Sequence, residues 1–321
     1  MACLRFFLAV LAALAAATCH SQEIYPARAV RLVVPFPPGS PPDVLARVSA
    51  MKLATDWGKP VVVENRDGAT GVIGVNQVVR AAPDGYTLLL TVDQPLVIVP
   101  ALSQTPYDPR SDLAPVAAVA SSMPVLVVNP SLGVNSVREL VALSKARPGL
   151  LTFGSMGEAS ASRMCIELIR QEAGIDLVHI PYKGAPQAMQ ALLAGEVSMY
   201  CGPISQGLPH VKAGKLIALG VAGERPSHSL PGVPPLSAQG LPNVVISYWY
   251  GVFAPSGTPN RVLAKIRESL RLVFDDAEVR AKLASAGFDP LWLNEIELAA
   301  RIHADLDRWA RVVRSAGIKA E

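Results

Sequence analysis

Arg31-Leu-Val-Val-Pro-Phe-Pro-Pro-Gly-Ser40 joins an apolar strand to a turn of small residues and then to a helix start. Leu151-Thr-Phe-Gly-Ser-Met-Gly-Glu-Ala-Ser160 repeats the arrangement in the second half of the chain. Neither stretch shows, in sequence, a nucleophile beside a base. What both offer is backbone N–H groups and hydroxyls at a helix N-terminus, where unpaired donors and the helix dipole favour a small anion. The pattern predicts binding rather than reaction.

Outward from these turns, apolar runs alternate with helical patterns. They are Val30 to Val34, Val61 to Glu64, Thr87 to Thr91, Val125 to Asn129, Leu151 to Gly154, Val178 to Pro181, Val197 to Cys201, Ile217 to Val221 and Trp249 to Ala254. Such alternation predicts an α/β protein with mostly parallel sheets. Ser40-Pro-Pro-Asp43, Ser136-Val-Arg-Glu139 and Ser155-Met-Gly-Glu158 have capping-box spacing, and Thr258-Pro259 places a cap before a first-turn proline. The stretch from Pro259 to Gly317 reads as two or three amphipathic helices, with Val262, Ile266, Leu270 and Val273 on one face. Gly68, Gly71 and Gly74 lack dinucleotide-turn spacing and are read as a loop needing positive φ or close backbone approach.

Composition narrows the function classes. The net charge is +3 over 321 residues, and no Lys/Arg run is dense enough to track phosphates, so nucleic acid is not an expected partner. Arg5 followed by an apolar run from Phe6 to Ala17 has the layout of a secretory signal peptide, too short for the roughly 20 residues of a membrane span. Cleavage is expected after Ala17 or, preferably, after Ser21, giving residues 1–21 as signal and a mature protein outside the cytoplasm, which the resemblance given below places in the periplasm. Thr18 disfavours a lipoprotein reading of Cys19.

With Cys3 and Cys19 removed, Cys165 and Cys201 remain in an oxidising compartment. A disulfide and two buried free thiols are both open readings. A mature chain of about 300 residues exceeds what one core usually serves, so two lobes are expected.

The tests for catalysis find no site. The Gly-x-Ser-x-Gly elbow is absent at Ser155, where Phe153 stands in place of the first Gly. His179, His210, His228 and His303 are scattered, without metal-site spacing, and His179 reads as a strand-end residue. No catalytic residue, metal or cofactor is expected.

Several segments, taken in order, carry a resemblance. They are Arg31-Leu-Val-Val-Pro-Phe-Pro-Pro-Gly39 with Asp43; Val62-Val-Glu-Asn-Arg66 with Gly68 and Gly71-Val-Ile-Gly74; and Pro83-Asp-Gly-Tyr-Thr-Leu88. Pro181-Tyr-Lys-Gly184, Lys212-Ala-Gly-Lys-Leu216, and Trp249-Tyr-Gly251 with Ala254-Pro-Ser-Gly-Thr-Pro259 follow. Together they resemble the Bug-type extracytoplasmic solute-binding proteins, receptors of tripartite tricarboxylate transporters.

The resemblance implies a two-lobe periplasmic-binding-protein fold of type II, a Venus-flytrap. Residues 22–123 and 254–321 would form one lobe and 124–253 the other, with crossings near Met123-Pro124 and Phe253-Ala254. It implies a monomer that grips a small carboxylate through Phe36, Pro37, Pro38, Gly39, Ser40 and the loop around Asp93 in one lobe. In the other lobe the implied contacts are Ser155, Met156, Gly157, Ser160, Tyr182, Lys183 and Gly184. Lys183 is either a charge-assisted contact or a solvated turn lysine. Trp249 and Tyr86 read as core aromatics. The implied partners are the membrane components of such a transporter. A periplasmic sensor feeding a two-component kinase is the alternative, and a hydrolase the remote one.

The chain also departs from the family pattern. Pro41 and Pro42 remove two N–H donors after the first turn, leaving Ser40 and the N–H groups of Gly39 and Asp43. Ala159 and Arg163 replace a Gly and a His of the second turn, with Arg163 either facing the ligand or lying at the surface. Ala191 and Gly202 stand where the family has acids, which, if those acids recognise an amino group or hydroxyls, predicts a different acid, one with an apolar body, and amino acids binding less well than simple organic acids.

Overall fold

The computed structural model describes residues 25–157 and 160–316. The expected signal segment, and Ala159 in the second turn, lie outside the described residues. Among the described residues eleven strands are present: β1 (Val30–Val34), β2 (Val61–Asn65), β3 (Thr87–Val92), β4 (Leu113–Ser122), β5 (Pro124–Val128), β6 (Thr152–Ser155), β7 (Val178–Pro181), β8 (Met199–Pro203), β9 (Ile217–Val221), β10 (Tyr248–Pro255) and β11 (Asp289–Leu293). They form a six-stranded sheet of order β11-β4-β10-β3-β1-β2 and a five-stranded sheet of order β7-β6-β8-β5-β9.

Both sheets are mixed, which corrects the expectation of mostly parallel ones. β1 runs parallel to β2 and β3, and β6 parallel to β7 and β8. β10 is antiparallel to β3 and β4, and β5 to β8 and β9. The cause is the route of the chain. β5 and β10 are the first strands after a crossing and enter each sheet from the edge where their neighbours end.

The first sheet gives up the chain at Ser122 and the second takes it at Pro124. The return is earlier than expected near Phe253-Ala254: all of Tyr248–Pro255 belongs to the first sheet, where its backbone pairs with β3 and β4. β4 and β11 were absent from the sequence pattern. Leu113-Ala-Pro-Val-Ala-Ala-Val-Ala-Ser-Ser122 is rich in Ala and Ser and holds a proline, and the register with β10 makes it a strand despite weak propensity.

Helix starts also shift. Ser136 caps as read, accepting from the Glu139 N–H at 3.2 Å. Ser155, however, ends β6, and the following helix Ala161–Ala173 is capped by Ser160. Pro259 is the N-cap of helix Asn260–Asp275, while the Thr258 hydroxyl donates to Pro255 O at 2.7 Å. The C-terminal segment has three helices, Asn260–Asp275, Ala277–Ser285 and Glu295–Ala316, all belonging to the side of the first sheet.

Trp249 and Phe253 are fully buried in the first sheet, and the Trp249 indole donates to Asp305 Oδ2 at 2.9 Å. Large side chains buried in this way each stabilise by about 1.5–3 kcal/mol. Gly68 and Gly71 have φ of 127° and 95°, and a Cβ on Gly74 would lie 2.6 Å from Arg66 O, so this loop uses both glycine properties. Cys165 and Cys201 are joined, Sγ to Sγ at 1.97 Å, tying helix Ala161–Ala173 to β8.

Candidate ligand cleft

The strand registers place both turns on the edges where the chain crosses. Tyr248 pairs with Ser122 and Tyr250 with Val92, so the ends of β4 and β3 lie beside the start of β10. β1 runs with β3, which brings its end, and the turn Phe36 to Ser40, to the same edge. In the second sheet Pro124 pairs with Pro203, and β6 runs with β8, so Ser155 also ends at the crossing edge.

The first turn is organised by a buried carboxylate. Asp43 is 2% exposed; its Oδ2 accepts from Gly39 N–H at 2.9 Å and from Arg47 Nε at 2.8 Å, and its Oδ1 accepts from Asn65 Nδ2 at 2.9 Å. Asn65 also donates to Phe36 O at 3.0 Å. Burial pushes the Asp43 carboxyl up, but the bonds from Arg47, Gly39 and Asn65 outweigh it and hold the group below its usual range. The Gly39 N–H is therefore spent within the protein, contrary to its expected role as a ligand donor.

Pro37, Pro38 and Gly39 are exposed and Phe36 is half-buried, its ring 3.4 Å from where a Gly71 Cβ would stand. Ser40 is the N-cap of helix Pro41–Trp57, yet its hydroxyl caps nothing. Its buried Oγ has no hydrogen-bond partner among the described residues.

The second turn is also self-satisfied. Met156 N–H donates to Ser162 Oγ at 3.0 Å, Gly157 N–H to Ser155 Oγ at 3.2 Å, and Ser160 Oγ–H to Gly157 O at 2.6 Å. Ser160 and Ser162 share a hydroxyl contact at 3.0 Å. The turn thus satisfies its donors internally, with Ser155, Ser160 and Ser162 wholly buried, in place of the open N–H row expected from the sequence.

Ser155 Oγ also lies 2.6 Å from His179 Nε2, a pairing the sequence spacing did not show. His179 stacks on Phe153, and burial, with the charge of Arg163 and against that of Glu167, pushes it down to about 4, so the ring is neutral at neutral pH. Ser155 itself is wholly buried, and its oxygen is held by Gly157 N–H as well as by the ring. The pair fixes the turn.

Tyr182 is half-buried, its N–H on Ser155 O at 3.0 Å, and Gly184 caps helix Ala185–Ala194. Lys183 is exposed, and its N–H donates to Gln187 Oε1 at 3.1 Å. Arg163 is largely buried and 3.7 Å from Glu167, neither at the surface nor free. Ala191 is a core position of its helix.

Asp93 is 2% exposed, and its Oδ1 has no hydrogen-bond partner among the described residues. Burial first, and the charge of Asp305 second, push its carboxyl well above the usual range against Arg301, the Gln94 N–H and Arg308. A carboxyl raised by folding keeps a proton that the unfolded chain releases, so its contribution to stability falls as pH rises above the ordinary carboxyl range. Asp93→Asn is expected to raise Tm over wild type increasingly with pH, with little difference at about pH 4. Parallel Tm curves for the two proteins from acid to neutral pH would show that Asp93 is not so shifted.

Sequence reading missed Asn65 and Ser162, which hold the two turns, and Tyr200, whose ring packs over Gly202. A glycine inside a strand often marks a close approach, and Gly202 is such a signal: a Cβ there would stand 2.2 Å from Tyr200 Cε1.

The comparisons with known proteins agree with this architecture. The model for the tripartite tricarboxylate transporter family receptor matches residues 45–318. Protein BugT of Bordetella pertussis is 36% identical over 93% of this chain and 92% of its own. The solved periplasmic binding protein BugD is 31% identical with a TM-score of 0.86, over 92% of this chain and 100% of that one. The Rpa4515 protein of R. palustris, solved with adipate, is 29% identical with a TM-score of 0.87, over 92% of this chain and 99% of that one. In sequence and in its α/β two-lobe fold, the chain belongs to the tripartite tricarboxylate transporter receptor family, the family of the Bug solute-binding proteins.

Proposed function

We propose that this solute-binding receptor acts in the periplasm after loss of residues 1–21, captures a small carboxylate between its lobes, and presents the closed form to the membrane components of a tripartite tricarboxylate transporter. One observation carries the carboxylate reading: the buried Ser40 hydroxyl, at the N-terminus of helix Pro41–Trp57, has no hydrogen-bond partner among the described residues and follows β1 at the same crossing edge where β6 ends in Ser155. Hydroxyl oxygens at a helix start can rotate their protons toward an incoming anion. The adipate found in a similar protein supports the same ligand class. Contacts made only when both turns reach the ligand shift the lobes toward closure, which is what a membrane partner can read.

The test is a thermal-shift screen of organic acids, amino acids and aromatic acids against wild type and Gly157→Pro. Gly157 has φ of 104°, which proline cannot adopt, and its N–H holds Ser155. A ligand at a hundred times its Kd stabilises by about 2.7 kcal/mol. Wild type is expected to shift with one acid class. The variant should lose that shift while its unliganded stability falls by about 1–3 kcal/mol. Equal shifts in both proteins would place the site elsewhere, and no shift with any acid would refute the carboxylate reading.

A further inference from the structure

The turn between helix Ala277–Ser285 and β11 reaches across to the second lobe. Gly287, buried in that turn with φ of 85°, faces the start of helix Ile204–Lys212: a Cβ there would stand 2.8 Å from Ser205 N and 2.9 Å from Ser205 Cα. Real Cβ atoms do not come so near, so glycine is what lets the two backbones touch. Both partners are tied to the same stretch of chain. The Ser122 hydroxyl donates to Gly287 O at 3.2 Å, and Met123 O accepts from Ile204 N–H at 3.1 Å. Ser122 ends β4 and Met123 leads into β5, so these two residues make the first crossing between the lobes. Further out, the Ser229 hydroxyl donates to Ala284 O at 2.9 Å, and His228 Nδ1 lies 3.5 Å from Asp289 Oδ1.

Two chain crossings alone leave the lobes free to bend and to slide, because hinge motion is absorbed by a few residues at the ends of elements. A contact of backbone on backbone has no side chain to turn aside, and close-packed groups transmit a displacement rather than absorb it. We propose that Gly287 is a positioning residue for ligand capture: its contact with Ser205 is the fulcrum on which the lobes turn, and it sets the separation of the two ligand turns. Each half of the contact is bonded to a neighbouring residue of the crossing, so the fulcrum keeps its place while the lobes move. The outer pairs, Ser229 with Ala284 and His228 with Asp289, are made by side chains that can part. An atom added at Gly287 wedges the lobes apart at this point and shifts Phe36 to Ser40 relative to Ser155 to Ser160.

The test is the distance between the lobes in the ligand-free protein, read by electron resonance from spin labels on Arg80→Cys and Lys145→Cys. Both positions are exposed, and they precede β3 and β6, strands whose far ends lie at the crossing edge. The label pair is placed in wild type, Gly287→Ala and Gly240→Ala. Gly240 has φ of 87° and nothing within 4 Å of a Cβ, so its variant carries the same backbone strain without the wedge. Both variants should lose a comparable amount of Tm. Only Gly287→Ala should move the mean distance, by about 1–2 Å, the size of shifts at packed interfaces. Ser122→Ala is a milder probe that covers failure of Gly287→Ala to fold: without the hydroxyl the distance distribution should broaden around its wild-type mean. A wild-type distribution in Gly287→Ala, an equal shift in Gly240→Ala, or a wild-type width in Ser122→Ala overturns the proposal. No ligand enters the measurement, so its outcome is independent of the carboxylate reading.

Discussion

Breaking the Cys165–Cys201 bridge is expected to lower stability by about 3–4 kcal/mol, from the loop-closure entropy that a link across 36 residues removes from the unfolded chain. Both cysteines are fully buried, so reductant should act slowly on the native protein, and the double Cys→Ala variant is the cleaner probe. The bridge anchors the helix capped by Ser160 to the strand that carries Tyr200, so ligand affinity should fall along with the denaturation midpoint. The check is urea unfolding of wild type with and without reductant beside the double variant. A midpoint shared by all three would mean that the thiols are free in the protein.

The second large effect is at Asp43. Asp43→Ala removes the acceptor of Gly39, Asn65 and Arg47 at once. Most of the loss, about 2–3 kcal/mol, should come from the Gly39 and Asn65 bonds, since Arg47 is more than half exposed and its ion pair is screened. Asp43→Asn should rescue little. Both carboxylate oxygens face donors, and an amide must turn its NH2 against one of them.

The pH dependence has a definite sign. The Asp43 carboxyl is depressed by folding, so its contribution is present above the usual carboxyl range and is lost as pH falls through the depressed value. The acid limb of stability should flatten in Asp43→Ala. The same variant should lose ligand binding through collapse of the first turn, read as loss of the ligand-induced Tm shift. An unchanged midpoint and unchanged binding would mean that the turn holds its shape without the carboxylate.

The legible parts of the chain were those in which local pattern and tertiary demand agree. β1, β7 and β9 fall where their apolar runs predict, because β-branched or long aliphatic residues fill them and turn residues bound them. β4 was illegible because its Ala-Ser composition becomes a strand only between β10 and β11. The two turns were located correctly, but their donors were not. Whether an N–H faces solvent or a carboxylate four residues on depends on rotamers, and Asp43 and Ser162 capture groups that sequence leaves open. The tyrosines of β10 read as core in an aromatic strand, and they lie buried there.

The sheet order β11-β4-β10-β3-β1-β2 interleaves the two ends of the chain. Val92 pairs with Tyr250, so a nascent chain that stops short of β10 holds β1 to β3 with β3 as an open edge. Such an edge is an aggregation template, and the contacts that close it are among the slowest to form because they span so much sequence. The first lobe therefore cannot finish folding while the ribosome still holds its last third. Release of the whole polypeptide must come before the native state, and a prematurely terminated product is a substrate for proteases and chaperones rather than a half-working receptor.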